Sequence, residues 1–119
     1  MKNIHPLRAE RRRARRQALL GVENPCCAIC GENAIECLEV HEIAGFRRDR
    51  DTRVILCRNC HRKQGARLLD AGIEMIREED VIERTSQWMR ANAVFLRGLA
   101  DGWETQAKSL RESEEQHED

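Results

Sequence analysis

The chain has 119 residues, one domain's worth, and with 35% charged and 3% aromatic residues it holds little material for a large apolar core. Its six cysteines are therefore the first candidates for what holds it together, through disulfides or a structural metal. The net charge of zero is unevenly spread, +6 over residues 1–20 (Lys2 and six arginines against Glu10) and −5 over residues 101–119, and no stretch has the apolar length of an export signal or a membrane span, which points to the reducing cytosol.

Residues 1–24 read as a basic helical arm. From Leu7 to Leu20 the chain is built of Arg, Ala, Glu, Gln and Leu, strong helix formers, and Gly21 stands where a helix would stop. Pro25 then opens a module expected to span residues 25–72. Within it, Cys27-Ala28-Ile29-Cys30 is a Cys-x-x-Cys knuckle, followed by Gly31, which suits the tight turn that aims backbone amides at sulfur. Cys26 could replace Cys27 only by lengthening the knuckle to Cys-x-x-x-Cys, so Cys27 is the favoured ligand. Residues 37–41 alternate apolar and polar as a half-buried strand would, with Cys37 a small buried hydrophobe on it. Residues 44–51 form a polar, arginine-rich loop, and Arg53-Val54-Ile55-Leu56 is a β-branched run that can pair with the first strand.

Cys57-Arg58-Asn59-Cys60 is a second knuckle, 26 residues after the first. Two such pairs make a closed tetrahedral site for a structural Zn2+, whose binding contributes on the order of 10 kcal/mol to the folding of a small domain. Residues 58–69 are compatible with a helix, with Gly72 as its stop. Asp80 and Glu83 then form the start of a capping box, and Ile82, Met89, Leu96, Trp103 and Leu110 recur every seven residues, flanked by Val81, Trp88, Phe95 and Leu99. Over residues 80–112 this predicts an amphipathic helix whose stripe packs on the module's own core or pairs with the same helix of a second copy as a homodimer. Gly98 and Gly102 each weaken a helix by about 1 kcal/mol relative to Ala and are expected to mark a bend. Residues 113–119 read as a frayed acidic tail.

The run Leu38-Glu39-Val40-His41-Glu42-Ile43-Ala44-Gly45, followed by Val54-Ile55-Leu56-Cys57-Arg58-Asn59-Cys60-His61-Arg62-Lys63, resembles the HNH endonuclease family in its zinc-knuckle form. The resemblance covers roughly residues 25–68. It implies an α+β fold, a zinc-stapled ββα-metal module carrying an N-terminal basic helix and a long C-terminal amphipathic helix. It also implies a metal-dependent endonuclease that hydrolyses phosphodiester bonds in DNA around one catalytic divalent cation (Mg2+, Mn2+, Ni2+ or Zn2+). His41 and His61 fall on the family's usual cation ligands. Glu42 falls on the place of the general-base His, and Thr52 near the middle Asn that orients that base. A carboxylate, with a reference pKa of about 4.3, is a weaker base at neutral pH than imidazole. Glu42 is accordingly either that base or an oxygen ligand with His41 as base, and a catalytically reduced nucleic-acid-binding relative is the alternative reading.

The basic residues fit a polyanionic partner. Arg47, Arg48, Arg50 and Arg53 lie in or beside the loop between the strands, Arg58, Arg62, Lys63 and Arg67 on the following helix, and Arg12, Arg13 and Arg16 on the arm. Many arginines with few aromatics suit the backbone of double-stranded DNA better than stacked single-strand bases.

Overall fold

The computed structural model describes residues 6–117; Lys2 of the basic arm and the last two acids of the tail lie outside them. Helix α1 (Pro6–Leu20) is followed by the first knuckle, a short 3-10 turn (Ile35–Cys37), strands β1 (Leu38–Glu42) and β2 (Arg53–Cys57), helix α2 (Arg58–Asp70) and the long helix α3 (Val81–His117). The two strands form an antiparallel pair in which Leu38 faces Cys57, Val40 faces Ile55 and Glu42 faces Arg53. The centre of the chain is thus the ββα unit predicted from the order of its elements, in an α+β arrangement. Among the described residues, no helix is long and apolar enough to cross a membrane.

Each boundary has a local cause. Gly21 ends α1 in the left-handed conformation, φ +74°, its N–H donating to the Gln17 carbonyl. Helix α2 closes in a Schellman motif: the Gly72 N–H donates to the Leu69 carbonyl and the Ile73 N–H to the Leu68 carbonyl, while the Leu68 and Ile73 side chains are buried in one cluster. Asp80 caps α3 by accepting the Glu83 N–H at 3.1 Å. Glycine does a different job inside α3. The helix is continuous through Gly98 and Gly102, and their missing side chains let it approach the module: a Cβ at Gly98 would lie 1.8 Å from Gln64 Nε2, and one at Gly102 would lie 2.3 Å from Ile29 Cγ2. The expected bend is therefore a close contact.

Three further expectations are corrected. Cys37 closes the 3-10 turn and is exposed; the strand starts one residue later, at Leu38, which is fully buried. Residues 113–117 continue α3 because Glu, Gln and Ser tolerate the helix, so the described part of the tail is helical, with residues 113–116 exposed. The broad stripe is split: its flanking Phe95 and Leu99 pack on the module's core, whereas the large residues of the seven-residue recurrence stay largely exposed. Helix α3 turns Ala91, Val94, Phe95 and Gly98 inward, and leaves Ile82, Met89, Leu96, Trp103 and Leu110 between 59% and 80% exposed.

Candidate metal centre and the histidine cluster

The knuckles are brought together by the hairpin. Cys57 ends β2 and is also the N-cap of α2, its sulfur accepting the Cys60 N–H at 3.4 Å. The first knuckle is pinned alongside, with the Ala28 N–H donating to the Ile55 carbonyl and Gly31, at φ +81°, turning the chain so that its N–H reaches the Cys27 carbonyl. Helix α3 closes the knuckle from outside: Trp103 Nε1 donates to the Ala28 carbonyl at 2.8 Å and Gln106 Nε2 donates to the Ile29 carbonyl. As a result the Sγ atoms of Cys27, Cys30, Cys57 and Cys60 all lie within 4.8 Å of one another, and Cys30 Sγ is 3.6 Å from Cys57 Sγ.

This donor set fits zinc. Tetrahedral Zn–S bonds of about 2.3 Å imply S···S edges of about 3.8 Å. The electrostatics point the same way. Burial pushes the Cys27 thiol up, but the backbone N–H groups of Cys30, Cys57 and Ile29 together outweigh it and bring Cys27 down to about 7. Burial and the sulfurs of Cys57 and Cys27 push Cys60 up, and burial pushes Cys30 up as well. Four sulfurs this close ionise together only around a cation, and with all four positions filled by protein a metal held there would be structural. Cys26 and Cys37 are exposed and stand outside the group.

The second cluster lies on the face of the hairpin that meets α2. His41 is 5% exposed, and its ring centroid is 4.9 Å from that of His61 in an edge-on contact and 6.2 Å from the Phe95 ring. Burial, with the neighbouring His61 adding to it, holds His41 down to about 4, so the imidazole is neutral at physiological pH and offers a lone pair. Side chains alternate along a strand, so Glu42 lies on the opposite face from His41, whereas Glu39 shares His41's face and sets its carboxylate 3.7 Å from His61 Nδ1. The fold therefore gathers His41 and His61 as expected and supplies Glu39 where the sequence reading placed Glu42. The i, i+2 spacing of Glu39 and His41 carried that signal. Among the described residues the four cysteines are the group of metal-ligating side chains drawn this tightly together; neither His41, Glu42 and His61 nor Glu39, His41 and His61 are.

The arginines separate into two kinds. Arg58, Asn59, His61, Arg62 and Glu39 line one open groove at the start of α2. Arg47, Arg50 and Lys63 are exposed, with Arg50 stacked 4.4 Å above the Phe46 ring. Arg48, expected to meet nucleic acid, does not reach solvent: its side chain is 1% exposed and is spent on the Glu78 carboxylate at 2.6 Å and on the Ala44 and Glu74 carbonyls. Arg16 donates to the Ile35 and Leu38 carbonyls and fastens α1 to the module, Arg13 faces Glu36 at 3.5 Å, and Arg12 stays exposed. Thr52 has its N–H held by Asp49 Oδ1, within the loop. Comparison of the chain with protein-family models, curated proteins and solved structures found no match.

Proposed function

We propose that the chain is a zinc-stapled, metal-dependent endonuclease of the HNH type that hydrolyses phosphodiester bonds in DNA. One observation carries this reading: Glu39 and His61 line a groove rimmed by Arg58 and Arg62, and the buried His41 ring stands 4.9 Å from that of His61. Two imidazole nitrogens and one carboxylate suit a divalent cation that keeps open positions for water and substrate, and such a cation would polarise the phosphodiester and acidify a bound water. Of the chain's own groups, His41 and His61 supply the nitrogens, Glu39 the oxygen, and Arg58 and Arg62 the contacts to the flanking phosphates. The zinc staple holds β2 and the α2 start at fixed separation and keeps that geometry.

A second reading rests on a specific observation. Glu42 lies across the sheet from the cluster and His41 is nearly sealed, which suits a module that binds nucleic acid without cutting it. Supercoiled plasmid incubated with the protein and Mg2+, Mn2+ or Ni2+ separates the two. The nuclease reading expects cleavage that falls by about 10- to 100-fold in His61→Ala and Glu39→Gln, and survives in Glu42→Gln. Salt-sensitive plasmid binding without cleavage under any of these metals selects the binding module, and neither binding nor cleavage removes both.

A further inference from the structure

The exposed stripe on α3 is matched by a second row that completes it. Ser86, Ala93, Ala100 and Ala107 also recur every seven residues, each four after one large residue of the stripe and three before the next. These side chains lie off the Ala91, Phe95 and Gly98 face that packs on the module, although the Trp103 indole reaches back to the Ala28 carbonyl at its edge. Large and small residues in alternating steps of four and three form a coiled-coil seam, and from Ile82 to Leu110 this one is about 42 Å long. At a width of about 10 Å it is an apolar strip of about 400 Å², large for a surface that stays uncovered.

We infer that the seam is covered by the same seam of a second copy of this chain, running antiparallel. Size complementarity chooses the direction. In an antiparallel pair each large position of one helix faces a small position of the other, so Leu96 meets Ala100 of the copy, Trp103 meets Ala93 and Met89 meets Ala107. A parallel pair would set Trp103 against Trp103 and Ala100 against Ala100, overfull and empty in turn. Charge chooses the register. The positions that follow the large residues are Glu83, Arg90, Arg97, Glu104 and Arg111. In the register just described, Glu83 faces Arg111 of the copy and Arg90 faces Glu104, four oppositely charged pairs per dimer by symmetry, against one like pair where Arg97 meets itself near the axis. Sliding one heptad toward the N-terminus sets Glu83 on Glu104 and Arg90 on Arg97, all like charges. Arg90 also donates to the Ala71 carbonyl, and the Trp103 indole N–H is held by Ala28; both contacts fix the side chains without burying them.

The seam lies off the face of α3 that packs on the module and uses none of the residues lining the Glu39–His61 groove, so the inference stands independently of the nuclease reading. Sedimentation of the zinc-loaded full chain tests it. The expected species at tens of micromolar is a dimer that Leu96→Glu converts to a monomer of unchanged helicity. Arg111→Glu weakens association roughly tenfold by turning two attractions into repulsions, and adding Glu83→Arg restores it. A chain that remains monomeric at this concentration overturns the inference and gives the seam to another protein's helix. A dimer indifferent to Leu96→Glu also overturns it, and a dimer that Arg111→Glu weakens and Glu83→Arg does not rescue overturns the antiparallel register.

Discussion

Arg48 and Asp49 are adjacent in one loop, and burial gives them separate tasks. The Arg48 guanidinium is sealed against Glu78, and through Glu74 and Glu78 it ties the hairpin loop to the segment before α3. Removing one partner of a buried pair strands the other charge, so Arg48→Ala is expected to lower stability by about 3 kcal/mol and to leave the charge offered to DNA unchanged. Urea denaturation beside a DNA-binding isotherm checks both halves, and a large loss of affinity in a folded Arg48→Ala would contradict this assignment. Asp49 accepts the Asp51 and Thr52 N–H groups on one oxygen and the Trp88 indole N–H at 2.7 Å on the other. The contacts from Thr52 and Trp88 hold its carboxyl well below the ordinary 3.8, at about 2. A carboxylate whose folded value is depressed stabilises the fold at every pH above its unfolded value, and that contribution fades as pH falls through the folded one. Asp49→Asn should therefore be less stable than the parent at pH 6, with the gap between the two proteins narrowing from about pH 4 downward. Paired unfolding curves across that range, taken with zinc in excess, test the sign; a gap that widens on acidification would reject it.

Helix α3 shows what periodicity conveys and what it leaves out. The seven-residue recurrence of large apolar residues was plain in the sequence and is present in the helix. Which side of the helix meets the module was not, because Val94 and Phe95 share the inner face with residues of almost no apolar signal: Ala91, Gly98 and Gly102 are small enough for α2 and the first knuckle to come close. The recurrence of large apolar residues draws attention to Leu96, while packing turns on what is absent at Gly102. Gly102→Ala separates these views. Helix propensity alone would make it stabilising by about 1 kcal/mol, but the added Cβ would lie 2.3 Å from Ile29 Cγ2 and 3.3 Å from the Ile29 carbonyl oxygen. Such overpacking costs about 1–3 kcal/mol, so the expected outcome is a net loss near 1 kcal/mol, with the knuckle beneath it displaced and zinc released sooner to a chelator. A midpoint that rises in urea would show that the helix yields freely at this point.

At the scale of the whole molecule the four-cysteine cluster was legible because its information is compact: two Cys-x-x-Cys pairs supply four sulfurs that could hold a metal ion and, through Cys57, the join of β2 to α2. The charged surface was less so, since a count of arginines is silent on which ones the fold consumes. Arg16 and Arg48 are anchored to backbone carbonyls, Arg13 and Arg67 stay exposed in surface pairs with Glu36 and Asp101, and Arg58, Arg62 and Lys63 are exposed on α2. This division sets the salt dependence of DNA binding under the proposed function. Each phosphate neutralised releases condensed counterion and steepens the fall of log affinity with log salt by about 0.9, so the slope counts contacting cations. Arg62→Ala should reduce that slope by about one unit and weaken binding to any duplex sequence alike, because a phosphate contact carries no base information. Arg48→Ala and Arg67→Ala should leave the slope as it is. Titrations of one duplex at four or five salt concentrations resolve such a change, and a slope unmoved by Arg62→Ala would shift the DNA-facing surface away from the His61 groove and toward the arm around Arg12.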